Sequence, residues 1–289
     1  MEYKTVIYEK EGQVAYITLN RTAKLNSLSP DLVEDWEAAI TEAELDDDVK
    51  VIVFKGAGRC FSAGAPLDKV GFVYGMKEPK PGEKPPKVPQ RVKLNFDKNL
   101  FYDFHRRILY CRKLTIAQLH HYCLGVAFTI VLHCDLILAT EDCKMGHVEE
   151  RLGLGGMTIS PMMVLRCGYT TAIDLCLTGK MITGRQAADF KLINRAVPDL
   201  KTLEKDVRDL ANGLALYPKD GIRFGKVMRE MLFTTMGVDR GLMDHYVMHS
   251  FQTNRVYDTG EFNFFKQRKD KGVRDAAHAK HDYFKALDK

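Results

Sequence analysis

The sequence predicts an α/β fold: a largely parallel sheet, then a helical region running to the C-terminus. Three observations predict it. Short apolar and β-branched runs alternate with helix-patterned stretches through the first third of the chain. Successive strands are separated by helix-length connections, which parallel pairing requires. Beyond about Val197 the pattern is helical alone.

Taken in order, residues 5–10 and 14–20 read as a pair of strands broken by Glu11-Gly12. Ser29-Pro30-Asp31 is a helix start, with a capping hydroxyl, a proline at the first helical position and an early acid. This helix carries Trp36, Ala39 and Ile40 to about Leu45, where Asp46-Asp47-Asp48 stops it. Residues 51–55 form a short buried strand, and Leu114–Leu119 and Leu136–Thr140 repeat the signal. Residues 74–95 hold five prolines and six lysines or arginines, and read as an exposed extended loop. A loop of that length is either a mobile surface insertion or a lid over a substrate channel. Helices are expected over 203–216, 221–233, 241–251, 262–268 and 273–287. No internal repeat is evident.

Composition narrows the class. No run approaches 18 apolar residues, and Met1-Glu2-Tyr3-Lys4 lacks an apolar signal region, so a cytoplasmic protein without a membrane span is expected. The cysteines number seven, contain no CxxC and have mostly apolar neighbours, as buried thiols do. His245 and His249 lie four apart on an expected helix, but no HExxH glutamate lies between them and no metal site is expected. The net charge of +5 suits an anionic ligand and also weak nucleic-acid binding. The second needs a single basic face with interleaved aromatics, and neither is evident. The densest basic runs, 77–93 and 266–274, read as solvated surface.

Two segments of small residues carry the first chemical signal. Residues 58–65, Gly-Arg-Cys-Phe-Ser-Ala-Gly-Ala, follow a buried strand. Small residues let a backbone approach a ligand closely with its N–H groups free. Leu124-Gly125-Val126-Ala127 precedes a short helix ending near His133, and a helix start offers unpaired N–H groups. If the two converge, they can hold a developing oxyanion, each donor contributing ~2.7–4 kcal/mol. Fourteen residues beyond Asp135 stands Glu149, in His147-Val148-Glu149-Glu150. Between apolar Val148 and the glycine-rich stretch 152–156 its carboxyl could be desolvated. A surface pair of glutamates near Arg151 is the alternative.

The order of these pieces resembles the crotonase (enoyl-CoA hydratase/isomerase) family. The resemblance rests on Ile17-Thr18-Leu19-Asn20-Arg21, Lys24-Leu25-Asn26-Ser27-Leu28, Phe61-Ser62-Ala63-Gly64-Ala65, Leu124-Gly125 through Cys134-Asp135, Leu177-Thr178-Gly179-Lys180 and residues 192–198. It covers about residues 5–200, plus a C-terminal helix ending Tyr283-Phe284-Lys285. It implies a crotonase-like ββα superhelix core over 1–200, with an insertion at about 74–95, and a C-terminal helical trimerisation region over 201–289. It further implies an acyl-coenzyme A thioester substrate, no prosthetic group, and homotrimers often paired into hexamers.

By the same resemblance the oxyanion donors are the N–H groups of Ala65 and Val126. Valine departs from the usual glycine, but the contact is through the main chain. Lys24, Leu25 and Ala63 fall where the family holds coenzyme A, and Phe284 and Lys285 where a neighbouring subunit often closes that pocket. Two-glutamate hydratases carry their first carboxylate where Thr129 stands and their second where Glu149 stands. A hydroxyl orients water but is no base near neutral pH, so Glu149 must move protons alone while Thr129 holds the water. This pattern resembles the hydroxycinnamoyl-CoA hydratase-lyases and the enoyl-CoA isomerases. Met157 occupies the position where hydrolase and dienoyl-isomerase members place an aspartate. Glu150 is the competing acid. His120, His121 and His147 read as mostly structural. Phe72, Tyr74 and Phe104 suggest a bulky or cyclic acyl group. An RNA-binding protein of the same fold and a thioester hydrolase are the rivals.

Overall fold

A computed structural model describes residues 2–68, 89–153, 159–251 and 256–288. Strands β1 (Val6–Glu11) and β2 (Val14–Leu19) form the expected antiparallel hairpin. Helix α1 (Pro30–Leu45) begins where its cap predicts, with Ser29 Oγ accepting from the Leu32 amide. Strands β3 (Val51–Gly56), β4 (Leu114–Leu119), β6 (Leu136–Thr140) and β9 (Arg195–Val197) extend the sheet in the order β1-β2-β3-β4-β6-β9, parallel from β2 onward. A second sheet joins β5 (Tyr122–Leu124), β7 (Lys144–Gly146) and β8 (Ile182–Thr183).

Both faces of the large sheet are covered, which is why its central strands are apolar throughout rather than alternating. Trp36 of α1 stands edge-on to Phe54 at 5.5 Å and to Phe104 at 5.0 Å, filling one face. Helix α7 (Leu200–Leu214) covers the other, burying Leu203, Val207 and Ala211 against Tyr16, Val53, Ile116 and Leu138. Full burial of side chains of this size contributes roughly 1.5–3 kcal/mol each.

The proline-rich segment needs correction. Residues 74–88 lie outside the described residues, but its end is a helix, α2 (Gln90–Asp97), which continues through a π-helical turn (Lys98–Asp103) into α3 (Phe104–Leu109). Lys93 is not solvated either: it is 3% exposed and bonds Asp97 one turn on at 2.8 Å. The C-terminal half also holds helices that periodicity left unread, notably α5 (Pro161–Thr178). Helices α8 (Lys219–Thr235) and α9 (Val238–Phe251) follow the expected pattern. The last two expected helices form one element, α10 (Phe264–Tyr283), broken at Gly272, where φ is 84°. Among the described residues, no helix is long and apolar enough to cross a membrane.

Candidate active site

The site lies where the loop after β3 meets the end of β5. Asn26, buried in the turn after β2, pins that loop by donating to the carbonyls of Ala57 and Cys60 at 3.0 and 2.9 Å. The loop's amides can be counted one by one. Phe61 donates to His120 O, Ser62 to Tyr122 O, Ala63 to Leu25 O and Gly64 to Ser62 Oγ. The Ala65 N–H donates to no acceptor among the described residues. Across the seam, Leu124 donates to Ser62 O and Gly125 to Gly146 O. Val126 opens helix α4 (Val126–Val131), so its N–H has no intrahelical partner. It donates instead to Glu149 Oε1 at 2.9 Å.

Close approach is built in by two glycines. Gly64 (φ 82°) lies so near the Leu124 carbonyl that a Cβ would overlap it, and a Cβ on Gly125 (φ 58°) would collide with the Glu149 carboxylate. Glu149 sits in a 3-10 turn (Val148–Leu152), its side chain 24% exposed. Its Oε2 is buried, has no hydrogen-bond partner among the described residues, and lies 3.8 Å from His147 Nε2. On the other side of His147, Glu150 Oε1 approaches Nδ1 at 3.5 Å. Burial would depress this imidazole, but hydrogen bonding to Cys176 and Glu150 and the charges of both glutamates outweigh it and hold its pKa well above the ordinary value.

The C-terminal helix reaches the same turn. Phe264 and Ala276 of α10 pack with Leu152, and Arg151 pairs with Asp288 at 2.6 Å. Lys280, one turn past Ala276, is affected by the Glu149 charge: burial holds its ammonium below the usual lysine range, against that carboxylate's pull. Sequence reasoning missed Lys280. The only signal was its helical spacing from Ala276.

Of the other expected residues, Leu25 and Ala63 are brought together by the Ala63 N–H to Leu25 O bond at 2.9 Å, with Lys24 exposed beside them. Phe284 packs within its own chain on Phe262 and Tyr283, at centroid distances of 5.6 and 4.9 Å, and lines a cleft of about 400 Å³ with Gly153 and Tyr257. Lys285 is exposed in the turn that follows. Among the described residues, no hydrogen bond or ring contact joins either to Lys24, Leu25 or Ala63. Thr129 is buried, and its hydroxyl meets Val126 O at 3.0 Å and His105 Nε2 at 3.1 Å. Phe104 is a core residue against Trp36 and lines no acyl pocket; Phe72, Tyr74 and Met157 lie outside the described residues. His120 bonds Gly58 O and His121 accepts from Arg59, both structural contacts. His245 and His249 both stack on Phe101, at 5.7 and 4.3 Å.

The sequence pattern that defines the enoyl-CoA hydratase/isomerase family matches residues 9–271. The chain belongs to this family. Members of the enoyl-CoA hydratase/isomerase family among the solved structures share its architecture: the crystal structure of an enoyl-CoA hydratase from Mycobacterium smegmatis superposes with a TM-score of 0.81 at 27% identity, covering 96% of this chain and 94% of that one. The short-chain-enoyl-CoA hydratase of Clostridium acetobutylicum is 28% identical over 78% of this chain and 81% of its own length. The peroxisomal Delta(3,5)-Delta(2,4)-dienoyl-CoA isomerase of Arabidopsis thaliana is 27% identical over 73% of this chain and 76% of its own. The fold is the crotonase fold, and the protein is an enzyme of the hydratase/isomerase type.

Proposed function

We propose that this enzyme is a hydratase, a lyase acting on an α,β-unsaturated acyl-coenzyme A thioester, with Glu149 as its single acid–base. The observation that carries the proposal is the amide count. From Phe61 to Ala65 and from Leu124 to Val126, each N–H is engaged by backbone or Ser62 except two: that of Ala65 meets no acceptor among the described residues, and that of Val126 is held by the Glu149 carboxylate. A thioester oxygen reaching Val126 takes the place of Glu149 Oε1 and meets the Ala65 N–H. The displaced carboxylate is then free to take a proton from water and return it to the α-carbon. Charge that gathers on the thioester oxygen in the enolate is met by fixed dipoles. The reaction needs no prosthetic group.

Thr129 has one hydroxyl hydrogen and two partners, so it serves an incoming water as an acceptor. That engagement, with only one acid at hand, favours double-bond isomerisation as the second reading, in which Glu149 carries a proton between carbons. Lys24, Leu25 and Ala63 form the proposed coenzyme A rim, which Phe284 and Lys285 of a neighbouring copy close in the proposed assembly. A panel of linear, aromatic and cyclic enoyl-CoA thioesters, followed by mass, separates the readings. Gain of one water supports hydration, an unchanged mass with a shifted double bond supports isomerisation, and release of free coenzyme A marks a hydrolase.

Self-association as a trimer, or a hexamer of two trimers, is part of the proposal. It is supported by an apolar stripe on α8, where Phe224, Met228, Met231 and Leu232 are each more than half exposed at helical spacing. Sedimentation of wild type and of M228E tests it; a monomer in the wild type overturns it.

A further inference from the structure

Beyond the thioester end, helix α4 presents Val126 and then Thr129 one turn on, and His133 follows in the turn that ends the helix, its ring bonded back to the Thr129 carbonyl. Around them gather His105 from α3, Phe101 from the π-helical turn and His245 from α9. His105 and His133 meet edge to face at 4.9 Å, and His245 stacks on Phe101 within electrostatic range of His133 and His147. The proton positions follow from the partners. Carbonyl oxygens only accept, so His105 Nδ1–H donates to Leu100 O and His133 Nδ1–H to Thr129 O. His105 Nε2 is then a lone pair that shares the one Thr129 hydroxyl hydrogen, at 3.1 Å, with the Val126 carbonyl at 3.0 Å. His133 Nε2 is likewise a lone pair, but it is buried without a partner among the described residues, on a residue 2% exposed. His245 makes no hydrogen bond with any described residue.

We infer that the acyl group of the substrate carries a hydroxyl remote from the thioester, whose O–H is accepted by His133 Nε2 and whose oxygen is approached by His245. This rests on the acyl-coenzyme A reading above and names its substrate class more closely. Three features select a hydroxyl. A hydrocarbon would leave a buried lone pair unpaired, which costs binding. A ketone oxygen cannot donate to His133 Nε2. A carboxylate would need a cation, and these imidazoles are neutral: burial depresses the pKa of His133 to about 4 and of His245 to about 3, and that of His105 well below its usual value. His147, held above its ordinary value, is flanked by Glu149 and Glu150, and the Arg166 guanidinium near His133 already donates to the Leu132 and Cys134 carbonyls.

The test is calorimetric, with non-reacting saturated thioesters and the full-length protein. The probes are heptanoyl-CoA, 7-hydroxyheptanoyl-CoA, 6-oxoheptanoyl-CoA and heptanedioyl-CoA. In the wild type the hydroxylated ester is expected to bind at least ten-fold tighter than each of the other three. H133F and H245F, checked for folding by circular dichroism, are expected to cut that preference below three-fold. The wild-type comparison needs no variant to fold. Equal affinities, or a preference for the ketone or the carboxylate, overturn the inference and leave the Glu149 chemistry standing. Full preference retained in both variants overturns it too. Failure of all four thioesters to bind overturns it together with the acyl-coenzyme A reading.

Discussion

Two acids flank the histidine cluster, and they are treated in opposite ways. Asp97 is fully buried and surrounded by donors and a ring: Oδ2 accepts from Lys93 Nζ at 2.8 Å and Ser250 Oγ at 2.7 Å, and Oδ1, without a hydrogen bond among the described residues, faces His249 Nδ1 at 3.1 Å. Burial alone would raise its pKa, but His249, Lys93 and Ser250 together lower it. Glu149 has one backbone donor and one oxygen without a bond. A carboxylate tied by side chains of two other helical positions holds helices together, whereas one held by a single backbone amide retains capacity for a reacting group. Asp135 repeats the first pattern, receiving the Thr115 amide and Lys226.

The largest break in this contrast is on the reactive side. Glu149→Gln should lower turnover by roughly 10²–10⁴-fold while thioester binding persists, since general acid–base catalysis contributes on that scale. Full activity in that variant, measured by single-turnover product mass, would refute the assignment. At the other acid, Asp97→Asn removes the buried charge that Lys93 and His249 face and should cost about 3–5 kcal/mol of stability, read from urea unfolding. Its activity per folded molecule should change little. Gly125→Ala tests the approach itself. At φ 58° the new Cβ both strains the backbone, by about 1–3 kcal/mol, and pushes the carboxylate off Val126, so kcat should fall more than stability does.

A smaller effect separates the two acids by pH. The unfolded chain protonates His133 and His245 near pH 6.5, but the folded chain does so only near 4 and 3. The unfolded state therefore binds more protons in between, and stability is lost as pH falls from about 6.5. His147 has the opposite sign: its contribution is full below about pH 6.5 and is lost as pH rises toward its elevated folded value. Asp97, lowered from 3.8, should hold through both windows. Urea midpoints at pH 6.5 and 5 should show a fall on the order of 1–2 kcal/mol per neutral ring, flattened in H133F. A flat wild-type profile would contradict the neutral cluster. Least affected should be Glu150→Gln, which loosens His147 without touching Val126 and should slow turnover less than about ten-fold.

Local signals were legible and convergent ones were not. Ser29-Pro30 announced α1, and the small-residue runs announced the two tight turns that meet at the seam, because caps and tight turns depend on neighbours in sequence. The same Ser-Pro pair at Ser160-Pro161 announces α5 and could have been read. Helix α2 was hidden because its buried pair, Lys93 and Asp97, is stabilised by Ser250 and His249 from a helix more than 150 residues on. Lys93 in isolation looks like a surface charge. The bare lone pair of His133 was out of reach for the same reason: its meaning depends on which nitrogen the Thr129 carbonyl occupies.

The bond from Val126 to Glu149 has a consequence for selectivity between ground and transition states. In the proposed reaction this main-chain donor starts out held by a carboxylate oxygen, so any oxygen that displaces it is matched against that group. An uncharged thioester carbonyl is the weaker competitor, and an enolate oxygen is an equal one. The exchange thus favours the species formed along the reaction over the species that enters, which is the condition for lowering a barrier rather than tightening a grip on the reactant.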